Sequence, residues 1–191
     1  MTVPTEARAD APGPTAPNPP SLSTTPGLRR RMACWLYEGM LLFGVMVTAG
    51  LAYFIAAYWL TGLAPGEMNI HPQLKSGLQA ISFLVLGIYF TWFWHRGQTL
   101  AMKTWRIQIV DPMGRRLSRK TAFKRYIASW LWFVPPIAAT APFHLPATEV
   151  GLLSLGWVLV WALLSRLHPE RQFWHDAWAG TRLINAQPIA S

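Results

Sequence analysis

RRRMACWLYEGMLLFGVMVTAGLAYFIAAYWL, residues 29–60, is the stretch whose reading decides the fold. After three arginines, a single charged side chain, Glu38, interrupts an otherwise apolar run from Met32 to Leu60. About 20 apolar residues cross a bilayer as a helix, so this run predicts a membrane span with length to spare for tilt. Three more apolar runs follow, predicting spans at about 78–94, 126–143 and 148–164. The expected architecture is an all-α polytopic bundle of four transmembrane helices, the first at about 32–60. Each of the last two runs is near the minimum length, so a single re-entrant hairpin is an open alternative for that pair.

The rest of the composition agrees with a bilayer as solvent. The 191 residues are 52% hydrophobic and only 13% charged, about half the usual charged share. Of eleven tryptophans, many (Trp35, Trp59, Trp92, Trp94, Trp130, Trp132, Trp174 and Trp178) sit at run ends, where an indole can be half apolar and half wet. There are 17 Lys and Arg against 8 Asp and Glu. All of the cations except Lys75 fall before the first span, between the second and third, or after the fourth. Cytoplasmic loops hold such an excess, which places both termini in the cytoplasm. The charge therefore points to anionic lipid headgroups as partners and away from nucleic acid. Residues 1–28 are rich in Pro, Ala and Thr and read as a flexible cytoplasmic tail, with residues 186–191 a short tail at the other end. The first span is expected to serve as the insertion signal. The lone Cys34 leaves no internal disulfide and reads as a packing residue.

Between spans two and three lies a small cytoplasmic element, partly amphipathic. Trp105–Val110 alternates with strand period, Asp111-Pro112-Met113-Gly114 supplies a turn, and Arg115–Leu117 is expected to return as the second strand of a hairpin. Ser118 then caps a helix whose apolar face carries Ala122, Phe123, Tyr126, Ile127, Trp130 and Leu131. Arg119, Lys120, Lys124 and Arg125 are assigned to its polar face. In the third span Pro135-Pro136 predicts a kink.

Glu38 is the sharpest candidate for chemistry. It follows Arg31 by seven residues, which brings both to one side of a helix, and small residues continue that face. It lies ~9 Å beyond Met32, where an ionised carboxylate costs up to roughly 2.5–3.5 kcal/mol on insertion scales. It reads either as a proton- or cation-binding carboxylate or as half of a structural ion pair with Arg31. The second cluster runs from His168 to Asp176. Its His168, Glu170, His175 and Asp176 lack an established ligand spacing, so no metal is expected. Asp176 is expected instead to pair with a cation of the central loop. Phosphate loops, dinucleotide fingerprints and nucleophile elbows are absent, so no soluble-enzyme chemistry and no cofactor is expected.

Arg30 to Glu38, Gly97-Gln98-Thr99-Leu100 with Lys103, Ile109-Val110-Asp111, and Trp174-His175-Asp176 with Ala179-Gly180-Thr181 together resemble the RDD family of small bacterial integral membrane proteins. The resemblance spans about residues 27 to 185 and marks 29–185 as the membrane domain. It matches Arg31 to the family's Arg and Glu38 to a position usually occupied by Asp. Asp176 takes the second Asp, with Asp111 the lesser candidate for it. It implies a protein of the bacterial inner membrane that moves a small solute or cation, coupled to protons. Arg31 would tune Glu38, and Asp176 would gate the cytoplasmic end. So small a bundle is expected to act as a homo-oligomer. The alternative is a non-transporting adaptor that binds a partner protein through the basic loop, and a third reading is a membrane-embedded enzyme using residues 168–176.

Overall fold

The computed structural model describes residues 24–68 and 71–186. Its first helix, α1, covers Leu28–Thr61. At ~1.5 Å per residue it is ~51 Å long and overshoots the ~30 Å hydrocarbon layer. It ends where Gly62 turns left-handed (φ 68°) and its N–H bonds the Tyr58 carbonyl. A short turn, α2 (Pro65–Met68), precedes α3, Pro72–His95. The second span therefore begins at Pro72, ahead of the expected Leu78. Proline at a first helical position needs no N–H partner and has its φ already set.

After α3 the chain turns at Gly97 (φ 95°) into α4, Leu100–Thr104. Thr99 caps α4, its hydroxyl accepting from the Met102 N–H at 3.2 Å. Strand β1, Ile107–Val110, follows, with Ile107, Ile109 and Val110 buried. Its partner is not the expected Arg115–Leu117. It is β2, Arg182–Asn185, which pairs antiparallel from Ile107↔Asn185 to Val110↔Arg182. The Asp111 turn is present but feeds no hairpin. Its carboxylate takes the Met113 and Arg115 N–H groups, and Leu117 goes on to accept the His95 ring N–H.

The expected third span is also revised. α5, Arg119–Ser129, passes into a 3₁₀ turn at Trp130–Trp132; then come α6 (Val134–Thr140) and a second 3₁₀ turn at Ala141–Phe143. The two prolines do not kink a continuous helix. They occupy the first turn of a new one, where their missing donors cost nothing. α6 is ~10 Å long and cannot cross alone. Among the described residues, three helices are long and apolar enough to do so: α1, α3 and α7, Ala147–Leu164. α7 packs against the broken segment, with the Trp157 indole N–H bonding the Leu131 carbonyl at 3.0 Å.

The chain closes through α8, Trp174–Trp178, and β2. α8 packs on α5, so the end of α7 returns to the end that α5 occupies. The start of α1 joins them there. Arg30 donates to the Trp105 and Arg106 carbonyls and to the Asn185 side chain at 2.6–2.8 Å. Thr24 and Thr25, placed in the tail by sequence, are likewise tied to Asn185, Gln172 and Glu170. Pro26 is buried, Leu28 already belongs to α1, and the Ala186 N–H bonds the Arg106 carbonyl at 2.9 Å; the rest of both expected tails, residues 1–23 and 187–191, lies outside the described residues.

Burial is concentrated at this shared end, around Ala101, Ile107, Ile109, Leu117, Ala122 and Leu183. The long helices instead leave apolar side chains bare, Met40 at 75% and Leu152 at 70% exposed. In water such surface would be a liability; against acyl chains it is not. The molecule is thus a small mixed α/β core at one end of a set of bilayer-length helices.

Candidate functional site

The first turns of α1 bury Arg31, Cys34 and Glu38 on one stripe, at spacings of three and four residues. Glu38 is 7% exposed and meets no cation among the described residues. The Tyr89 hydroxyl of α3 donates to Oε1 at 2.5 Å, and the Thr99 hydroxyl donates to Oε2. Thr99 can do so because its lone pair, not its proton, serves the α4 cap. The pairing of Glu38 with Arg31 allowed by the sequence is not what forms.

Arg31 instead stacks on the Phe173 ring, 4.3 Å from its centroid, just ahead of α8. Asp176, three residues further on, has no exposed surface. Arg125 Nη2 reaches Asp176 Oδ1 at 2.7 Å and His175 Nε2 reaches it at 3.1 Å. The Trp132 indole can only donate, and it bonds His175 Nδ1 at 3.2 Å, which puts the imidazole proton on Nε2 facing Asp176. Burial alone would raise the Asp176 pKa. Arg125 above all, then His175 and Arg31, outweigh it and hold the group at about 2. Arg125 also lies over Trp94, 3.9 Å from the ring centroid. Trp94 thus covers one face of the pair.

Arg31, Glu38, Arg125 and His175 line one cavity of about 590 Å³. Its other walls are apolar, from Leu36, Met40 and Phe43 of α1 and from Leu86 and Phe90 of α3. Four of the residues named from sequence (Arg31, Glu38, His175 and Asp176) thus gather at one place, although Asp176 touches the cavity only through its partners. The other two do not join them. Asp111 sits in an exposed turn, ion-paired with Arg115 at 2.8 Å, and its pKa is lowered chiefly by the Arg115 backbone N–H. Lys103 is exposed on α4. Among the described residues no three His, Cys, Asp or Glu groups are placed to share a metal ion.

The family model described as RDD family matches residues 25–180, most of the chain. The chain belongs to the RDD family. No curated protein and no solved structure matches it. Within this RDD chain, α1 brings Arg31 and Glu38 to the cavity wall, Thr99 at the start of α4 bonds Glu38, and Asp176 of α8 pairs with Arg125 behind the wall.

Sequence reasoning missed three contributors. Tyr89 offers in sequence only an aromatic ring near the end of the second apolar run, and Thr99 enters only through the resemblance. Arg125 was assigned to the polar face of α5, yet α5 buries it with Ala122 and Tyr126. The signal was available, since Arg125 lies three residues after Ala122 and so shares its side of the helix.

Proposed function

We propose that this RDD protein is a multi-pass protein of the bacterial inner membrane, with both ends cytoplasmic, that moves a small solute or cation coupled to protons. Glu38 would be its intramembrane ion-binding carboxylate. The observation that carries the reading is that Glu38 is buried on a cavity wall and held by two neutral hydroxyls instead of a cation. An ion pair would fix the carboxylate in one charge state. A hydroxyl can donate or accept, so Tyr89 and Thr99 can serve the ionised carboxylate and, by rotating one proton, the neutral acid. Lone pairs left on both oxygens remain for a cation. A buried ionisable group in a spanning helix is costly, and such groups mark ion paths more than scaffolds.

The Arg125–Asp176 pair supports the second part of the reading. It stands where the spans meet the basic end of the fold, so it would act as the cytoplasmic gate. Orientation follows from charge, because that end collects the cations flanking α1, α3, α5 and α8. A chain this small would act as a homo-oligomer.

Ion flux into dye-loaded vesicles tests the proposal. The wild type should carry a proton-coupled cation flux that Glu38→Gln abolishes and Glu38→Asp largely keeps. Equal flux from wild type and Glu38→Gln, or none from either, contradicts it.

A further inference from the structure

The cavity is charged unevenly. Two guanidinium groups, Arg31 and Arg125, line one end of it. The single carboxylate beside them, Asp176, makes its contacts with Arg125 and His175. Glu38 lies seven residues further along α1, ~10 Å deeper, and is occupied by its two hydroxyls. Arg31 is only 4% exposed and has no ion pair among the described residues. Its Nε and Nη1 are buried with no hydrogen-bond partner, and so is Nε of Arg125. A buried guanidinium left this way is strongly unfavourable unless an acceptor arrives. Both Asp176 oxygens also lack a hydrogen-bond partner, and Oδ1 is met only by ion-pair contacts. Counting that carboxylate, this end still has one positive charge in excess and three guanidinium nitrogens without acceptors, which complements an oxygen-rich monoanion.

The remainder of the cavity fits a hydrocarbon chain. Leu36, Met40 and Phe43 form a wall and are mostly exposed on the bare flank of α1, so the cavity opens toward acyl chains and not toward water. Arg31 lies three residues into α1, ~4.5 Å, at headgroup level, and Phe43 is ~18 Å deeper. The volume, about 590 Å³, falls within the roughly 300–1,000 Å³ of sites that hold one ligand.

We propose that the cavity is a site for one anionic phospholipid from the surrounding leaflet. Its phosphate sits at Arg31 and Arg125, and one acyl chain lies along Leu36, Met40 and Phe43. The site shares a cavity with the Glu38 reading but does not rest on it: lost flux coupling with lipid binding intact would remove that reading alone.

Native mass spectrometry of the detergent-purified full chain, titrated with phosphatidylglycerol, phosphatidylcholine or inorganic phosphate, tests it. One phosphatidylglycerol per chain should bind, roughly tenfold or more tighter than phosphatidylcholine. Arg31→Met should weaken it by a similar factor, and Met40→Trp, which fills the acyl wall without changing charge, should weaken it too. Lys120→Met, on the exposed face of α5, should not. If Arg31→Met does not fold, Arg31→Lys, which loses the planar fork, and Met40→Trp carry the test. Equal affinity for the two lipids, equal losses in Arg31→Met and Lys120→Met, or wild-type binding by Met40→Trp would overturn the proposal. So would displacement of the lipid by inorganic phosphate alone, which would make this a free-anion pocket.

Discussion

Glu38 shows how much one residue's partners decide. Seven residues from Arg31, it invited an ion pair, and the geometry of α1 indeed brings both onto one stripe. Rotation about a helix axis fixes a side, however, and not the direction in which a long side chain leans. Glu38 leans to α3 and the α4 cap; Arg31 leans to Phe173. Tyr89→Phe and Thr99→Val each delete one donor and leave a buried acceptor short. Each should cost about 1–3 kcal/mol of stability in thermal unfolding of the detergent-solubilised protein, and each should weaken flux coupling without abolishing it.

Asp176 gives a second test at this scale. Its folded pKa, about 2, lies below the ~3.9 of an unfolded aspartate. Because the folded value is depressed, the stabilisation is complete above pH ~4 and is lost as the pH falls toward 2. It amounts to roughly 2–3 kcal/mol. Asp176→Asn should flatten that part of the stability–pH curve. Arg125→Met strands the carboxylate in the core and should cost about 3–5 kcal/mol.

Among the elements, those whose information is local were legible. Apolar run length gave α1, α3 and α7, and Ser118 announced the start of α5, its hydroxyl accepting the Thr121 N–H at 3.1 Å. Strand period gave β1. Its partner lies more than seventy residues away, and nothing local in Arg182–Asn185 announces a strand; the nearer Arg115–Leu117 was the natural guess. Gln172 adds to the effect, since its side-chain amide clamps both backbone groups of Leu183 and steadies β2 from outside the ladder. The third span failed for a different reason: the proline pair was read as a defect within a helix when it is the beginning of one.

One packing detail at this scale is testable. Gly87 of α3 faces Tyr126 of α5, and a Cβ there would stand 3.0 Å from the ring. The Tyr126 hydroxyl meanwhile bonds the Phe83 carbonyl at 2.7 Å. Gly87→Leu should therefore lose about 1–3 kcal/mol through overpacking. Gly151→Leu on α7, where nothing lies within 4 Å, should change the melting temperature little.

At the scale of the whole molecule, the chain keeps its polar and charged business at one end and gives the rest to lipid. Charge patterning foresaw which segments share that end, because cations flank the spans there. It could not foresee that they would form a packed core with a sheet, an α5–α8 contact and a buried ion pair, since each of these needs residues from distant parts of the chain. That core is what presents Thr99 and Asp176 to a stripe on α1, and the cavity exists only where the two meet.

We propose that Glu38, an acid held by the Tyr89 and Thr99 hydroxyls, exchanges its proton. Infrared difference spectra recorded as the reconstituted protein is acidified address it most directly. A carboxylic C=O band should appear in the wild type, be absent in Glu38→Gln, and shift in both Tyr89→Phe and Thr99→Val. A spectrum in which no band responds to Glu38→Gln, or in which that band ignores both hydroxyl deletions, would contradict the account.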